Sequence, residues 1–466
     1  MSRKTRDITA EHVEITSYAA EGKAFGKINN KIVFVPYAVP GDIVDLQITR
    51  NKSSFMEGRI TRIITPSADR ITPICAHFGI CGGCRWQHLP YNKQLQYKQQ
   101  QVVDQLKHIG GIETESLQPI IPSEKTTEYR NKLEFTFSPR GWMTREELDS
   151  GMEFGPALGF HLPGKFDKVV DVVKCWLQEE ISNKIRIAVK DFAIKHQLPF
   201  HNLVNHEGLM RTMTIRIATT GEIMVIIVMR EEADDAMEAL AASLQSDFKE
   251  ITSLIFFING KANDSFDFLS PYKIYGSEFI TEKLDHLNFR IGPLSFFQTN
   301  SRQAVNMYRM IRELGELKSS DVVYDLYSGT GTISNYLAPF VSKVVGVEYV
   351  QESVDHAGIN SKLNSIHNTT FVAGDMKDIL NEAFFTKHGK PDVLVTDPPR
   401  AGMHGDVVNI LLNSGVAKII YISCNPATQA RDLKILSAAY KTILLQPIDM
   451  FPHTHHVENI ALLTRY

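Results

Sequence analysis

The stretch VVYDLYSGTGTIS, residues 322–334, decides the fold. An apolar run carries the chain to Asp325, a turn containing Gly329 and Gly331 follows, and a helix-forming segment starts directly after it. Such a sequence reads as a buried strand, a glycine turn and a helix start, in which backbone N–H groups face a ligand. A dinucleotide-binding fingerprint would put a third glycine three residues after Gly331, and Ser334 stands there instead. Outward from this stretch the pattern repeats: KVVGVEYV (343–350) leads to Glu348, NTTFVAGDM (368–376) to Asp375, and PDVLVTDPPR (391–400) to Asp397. KIIYISCNPAT (418–428) then delivers Cys424 to an abrupt stop at Asn425 and Pro426. Strand, loop and acid in repetition predict a doubly wound α/β sheet that takes its ligand at the carboxyl ends of the strands. The chain closes with a strand pair separated by a polar loop, DMFPHTHHVE (449–458).

Residue chemistry suggests roles at this edge. Glu348 suits an acid that accepts hydrogen bonds from both hydroxyls of an adenosine ribose. The prolines after Asp397 remove backbone donors and stiffen its turn, fixing a carboxylate beside a planar substrate; the plainer alternative is a helix cap. Cys424 is either a small buried apolar side chain or a thiol presented to the ligand crevice. FFQTNS (296–301) offers two stacked aromatics and an amide, Gln298, or else two core phenylalanines with a surface glutamine.

With 466 residues, 43% hydrophobic and 22% charged, the chain is too long for one core, and about two to four domains are expected. No apolar run reaches the roughly twenty residues that span a bilayer, and MSRKTRDITAEHVEIT lacks the apolar segment of a secretion signal, so a cytoplasmic protein is expected. The net charge of −3 excludes no class of partner, because a basic face can hide in a neutral total. Residues 1–66 alternate short β-like runs with turns and carry ten Lys and Arg against seven Asp and Glu, predicting a small closed or half-closed barrel with a weak basic bias.

CAHFGICGGC (75–84) places Cys75, Cys81 and Cys84 within ten residues, with two glycines that let the backbone fold round a small object. In a reducing compartment such a group reads as metal-binding. An iron–sulfur cluster wants four thiolates, and the only other cysteine besides Cys424 is Cys175; zinc is the alternative, with His77 or His88 completing the set, and a trio with no metal is the third reading. Residues 91–109 predict a helix stopped by Gly110 and Gly111, and about 125–290 read as an α+β region. There, EYRNKLEF (128–135) puts Arg130, Asn131 and Lys132 before a strand, facing RNA or simply exposed.

Taken together, the C-x5-CGGC-x-x-QH cluster, DLYSGTG, DPPR, SCNP and DMFPHT-x-HVE resemble the uracil-5 RNA methyltransferases, in the branch with a [4Fe-4S] centre and a TRAM domain, and the resemblance spans essentially the whole chain. It implies a TRAM oligonucleotide-binding-type barrel over 1–66, carried by EGKAFGK and VPGDIVDLQI, a central α+β iron–sulfur region over 67–290, and a class I methyltransferase domain over 291–466, with helix 91–109 packed on the last. It implies S-adenosylmethionine held by Gln298, Tyr327, Gly329, Gly331, Glu348, Asp375 and Asp397, and a cluster on Cys75, Cys81 and Cys84 with Cys175 as distant fourth ligand. Cys424 becomes the nucleophile, its thiolate favoured by the helix start after Asn425 and by the donor's sulfonium, and Glu458 the general base. By residue type alone a histidine such as His455 or His456 would be the base; His455 departs from the small residue common at its place in the family. The implied substrate is large-subunit ribosomal RNA and the implied state a monomer. A transfer-RNA uracil-5 methyltransferase and a non-catalytic RNA-binding iron–sulfur protein are the alternatives.

Overall fold

The computed structural model describes residues 8–466; residues 1–7, on which the reading of the amino-terminal segment partly rests, lie outside the described residues. Ile8–Tyr18, Ala24–Ile28, Lys31–Val35, Ile43–Asn51 and Phe55–Thr65 form a closed barrel. Alternation does the work: Val13, Ile15, Val33, Val35, Val44 and Leu46 point inward and are buried, while their neighbours face water.

A seven-stranded sheet follows, in the order Pro271–Gly276, Ile251–Ile258, Ile223–Met229, Met210–Ile217, Lys132–Ser138, Ala157–His161, Val169–Asp171. Both faces are covered, so Ile223–Met229 is apolar throughout and Met210–Ile217 is buried throughout even though it carries Arg211, Thr212, Thr214 and Arg216. One face packs under the helices Glu180–Lys195 and Asp234–Asp247, and from the other Met224, Ile226 and Val228 join a core shared with the carboxyl-terminal region.

The third sheet positions the site. Its order is Thr369–Ala373, Lys343–Glu348, Val322–Leu326, Val393–Thr396, Lys418–Ser423, Glu458–Arg465, Tyr440–Ile448. The first five strands run parallel and Glu458–Arg465 runs antiparallel beside Lys418–Ser423. That reversal brings the start of the last strand to the edge where the parallel strands end. This is the doubly wound sheet of the class I methyltransferases, with the predicted acids and Cys424 at the carboxyl ends of their strands. The helix Tyr91–Gln105, extended by a π-turn to Gly110, lays Val102 and Leu106 into the core of this sheet beside Ala430 and Leu433. No helix among the described residues is long and apolar enough to cross a membrane.

Candidate active site

The glycine turn is shaped as its sequence requires. Tyr327, Gly329 and Gly331 all have positive φ, at 63°, 53° and 76°. A side chain at Gly331 would collide with Ala357 and Phe371, at 2.8 and 2.9 Å, whereas nothing lies within 4 Å of one at Gly329. Gly331 is therefore needed for packing, and Gly329 borders open space. Ser334, where a third glycine was absent, donates to the fully buried Asp325 at 2.6 Å. The Glu348 carboxylate accepts Gly329 N at 3.0 Å and Val350 N at 2.9 Å, leaving lone pairs on both oxygens. Asp375 caps the short helix Met376–Ile379 through Lys377 N and pairs with Lys377 Nζ at 3.1 Å, which holds its carboxyl below the usual range. Tyr327 and Asp375 line a cavity of about 650 Å³ with Met403, His404 and Asp432; Gln298, Cys424 and Glu458 lie outside it.

Asp397 caps no helix, since His404 caps the helix that follows. Its one side-chain partner is Gln298 Nε2 at 3.5 Å. Gln298 is held in turn by Asn131, whose amide donates to its carbonyl at 2.9 Å and to Ser301 at 2.8 Å. Asn131 is half-buried and braces Gln298. Phe296 and Phe297 do not stack: Phe297 is 4% exposed in the core and Phe296 69% exposed.

Cys424 follows the strand Lys418–Ser423 directly and is partly exposed, so it is not a core side chain. Its turn is tied to the Asp397 turn by Asn425 Nδ2 and Thr428 Oγ1, which donate to the Arg400 carbonyl at 3.1 and 3.3 Å. Ser423 pairs in register with Asn459, which sets Cys424 beside Glu458. Gln429 fastens that junction, donating to Tyr421 O and Asn459 O and accepting from Asn459 Nδ2 at 2.7 Å. Glu458 is 4% exposed and its carboxylate has no hydrogen-bond partner among the described residues. Burial, reinforced by Asp397, pushes it up to about 8; Asp397 rises to about 7 by burial and by Asp325.

The expectation that Cys424 is favoured as thiolate does not hold in the protein alone. Burial and the charges of Glu458 and Asp397 push its thiol up to about 12, outweighing Arg400. The histidines are poor bases here: His455 and His456 are depressed to about 3 and about 4, burial being the largest cause.

Next to the segment that packs on loop 449–457, Cys75, Cys81, Cys84 and Cys175 line one pocket of about 240 Å³, with Arg130, Lys132 and Trp176. Among the described residues no group of three or more His, Cys, Asp or Glu is arranged to hold a metal ion. Gly83 N and Gln87 Nε2 donate to the sulfurs of Cys81 and Cys84, each at 3.4 Å. His77 Nε2 accepts Val173 N at 2.9 Å, and His88 Nε2 lies 3.4 Å from the Ala38 carbonyl.

Sequence reasoning missed the braces. Asp432, 1% exposed, accepts Met403 N and Tyr421 Oη, and Arg431 spans it and the carbonyls of Ala401 and Met403, together fixing the turn after Asp397. Arg431 and Asp432 read as ordinary helix polars, and no linear signal separates them from surface charge.

Three comparisons agree with this geometry. The profile of the tRNA (Uracil-5-)-methyltransferase family matches residues 202–466, and that of the TRAM domain residues 9–61. An RNA methyltransferase of Bacteroides thetaiotaomicron is 50% identical over 96% of this chain and 99% of its own, and one of Porphyromonas gingivalis 49% identical over 97% and 99%. The crystal structure of Pyrococcus abyssi tRNA (uracil-54, C5)-methyltransferase in complex with S-adenosyl-L-homocysteine superposes with a TM-score of 0.76 at 28% identity, covering 97% of this chain and 99% of that one. Fold and site define an RNA methyltransferase of class I architecture. The chain belongs to the tRNA (Uracil-5-)-methyltransferase family and carries a TRAM domain.

Proposed function

We propose that this enzyme transfers a methyl group from S-adenosylmethionine to carbon 5 of a uridine in large-subunit ribosomal RNA, using Cys424 as nucleophile and Glu458 as general base. The observation that carries the reading is a partly exposed thiol beside a buried, unpartnered carboxyl at the ligand edge of the sheet. Two unpaired acids, Glu458 and Asp397, are held there at a cost to stability, as reacting sites are.

Carbon 5 of uracil is a poor nucleophile. Addition of the Cys424 thiolate to carbon 6 pushes the C5=C6 electrons towards the O4 carbonyl, and carbon 5 of the resulting enolate takes the methyl group. The donor supplies that methyl on a sulfonium. Glu458 then takes the carbon 5 proton, the C–H electrons re-form C5=C6, and the C6–S bond breaks to return the Cys424 thiolate. A cation seated beside Asp397, Glu458 and Cys424 makes all three easier to ionise, reversing their direction in the protein alone. Glu348 offers its free lone pairs to the ribose, Tyr327, Gly329 and Gly331 shape the turn that follows the donor, Asp375 lines the cavity beside Tyr327, and Gln298 and Asp397 meet the donor from outside that cavity. The uridine enters turned out of its stack.

The thiols of Cys75, Cys81, Cys84 and Cys175 suit a [4Fe-4S] cluster. They surround a common pocket instead of converging on one point, two of them already accept N–H donors, and arginine and lysine line the rim. Methyl transfer from a sulfonium is not a redox step, so the cluster's role is to shape the RNA-facing surface. The work divides into 1–66 for RNA binding, 67–290 for the cluster and 291–466 for transfer, in a cytoplasmic monomer. Transfer RNA is a second reading, favoured by the full-length match to the Pyrococcus protein.

Two experiments test this. Glu458→Gln is expected to trap a thiol-linked RNA adduct on a denaturing gel; clean turnover would reassign the base. In a strain lacking the gene, 5-methyluridine is expected to vanish from 23S ribosomal RNA, and loss from transfer RNA alone would overturn the substrate.

A further inference from the structure

The loop that leads to Glu458 is anchored by residues some 350 positions earlier in the chain. Lys98, on the helix Tyr91–Gln105, is fully enclosed, as is Asp449; its Nζ donates to Asp449 Oδ1 at 2.6 Å and to the Phe451 carbonyl at 2.9 Å. The remaining Asp449 oxygen accepts Tyr91 Oη at 2.9 Å, and Phe451 N folds back onto Oδ1 at 3.0 Å. One helical turn before Lys98, Gln94 accepts His453 N at 2.8 Å and donates to the carbonyls of Trp86 and Leu89. The His453 carbonyl takes both Arg85 N and Trp86 N, at 2.8 and 3.0 Å. His453 itself has φ of 66°, a conformation that a non-glycine residue keeps only where its surroundings over-determine it.

A buried ion pair is a poor way to stabilise a fold, since apolar residues of similar volume usually do as well or better. What it does well is fix position. The sheet and Gln429 already hold the strand side of Glu458. We propose that Lys98 and Gln94 are positioning residues for the reaction, fixing loop 449–457 so that the Glu458 carboxylate meets the carbon 5 proton. This rests on the reading of Glu458 as base.

The test separates bond-making from proton removal in single-turnover experiments with RNA and S-adenosylmethionine. In the double variant Lys98→Met, Asp449→Leu the fold is expected to be kept with a lower melting midpoint, since Tyr91 Oη, Phe451 N and the Phe451 carbonyl lose their partners, RNA and S-adenosylhomocysteine to bind within about twofold of wild type, and the covalent adduct to form normally. Its clearance is expected to slow by about tenfold or more, the effect of a misplacement of order 1 Å. Gln94→Met is expected to behave likewise and decides the matter if the double variant does not fold. A folded variant that clears adduct at the wild-type rate would overturn the proposal, and so would unfolding of both, which would make these residues structural. Glu458→Gln run alongside separates the two readings: if it too clears adduct normally, the assignment of the base has failed; if it alone stalls, only the positioning role has.

Discussion

Cys424 and the group of Cys75, Cys81, Cys84 and Cys175 are all pushed towards the thiol form, by different neighbours. For both, burial is the largest cause. Beyond burial, Cys424 is opposed by two acids, Glu458 and Asp397, whereas Cys81 and Cys84 are opposed by the other cysteines of their own group. On the proposed reading, one multivalent cationic guest shared by all four would relieve the quartet. Cys424 is relieved only while a cation is near or its acids are protonated, and reverts when the cation leaves. One site is built to hold and the other to let go.

The largest expected effect breaks the comparison at its centre. Cys424→Ala is expected to reduce methyl transfer to RNA, followed with labelled donor, to background while binding of S-adenosylhomocysteine is unchanged; retained turnover would end the covalent account. Cys84→Ser is expected to do the reverse in kind: anaerobically purified wild type is expected to be brown with about four irons per chain, and the variant to lose colour and iron and to melt lower, while the part that stays folded still forms the Cys424 adduct. Colourless wild type carrying one zinc would overturn the cluster.

A smaller effect sharpens the acid side. Glu458 at about 8 and Asp397 at about 7 are coupled, so kcat/KM is expected to rise with pH through that window as the base form appears, with the limb belonging to the pair. A flat profile across the window would show that neither acid governs the free enzyme.

Much of this was legible in the chain because the signals are local. Apolar runs ending at Glu348, Asp375, Asp397 and Cys424 marked the sheet and its carboxyl edge, and the spacing of three cysteines marked a group that the fold gathers with Cys175 around one pocket. Two things were hidden. The Cys424 shift comes first from burial and then from Glu458, which reaches it only because the last strand runs antiparallel, a contact set by topology and not by sequence distance. The braces were hidden for a different reason: Gln94, Lys98, Asp432 and Asn131 are polar residues in polar segments, and only their burial separates them from solvated surface. Phe296 and Phe297 show the same limit, since adjacent side chains take opposite faces and a sequence cannot say which one is core.

The smallest expected effect is on stability. Glu458 ordinarily titrates at 4.5 and here at about 8. Between those values the folded chain keeps a proton that the unfolded chain gives up, so this group makes stability fall as pH rises through the window. Glu458→Gln cannot ionise and escapes that loss. The melting midpoint of the variant relative to wild type is thus expected to climb steadily from just above pH 4.5 to about 8 and then level, by a few degrees in all. Asp397→Asn is expected to show the same climb levelling earlier, near 7. A constant gap between Glu458→Gln and wild type would mean that the carboxylate is ionised and satisfied in the resting protein, and Cys424 would then face its full negative charge.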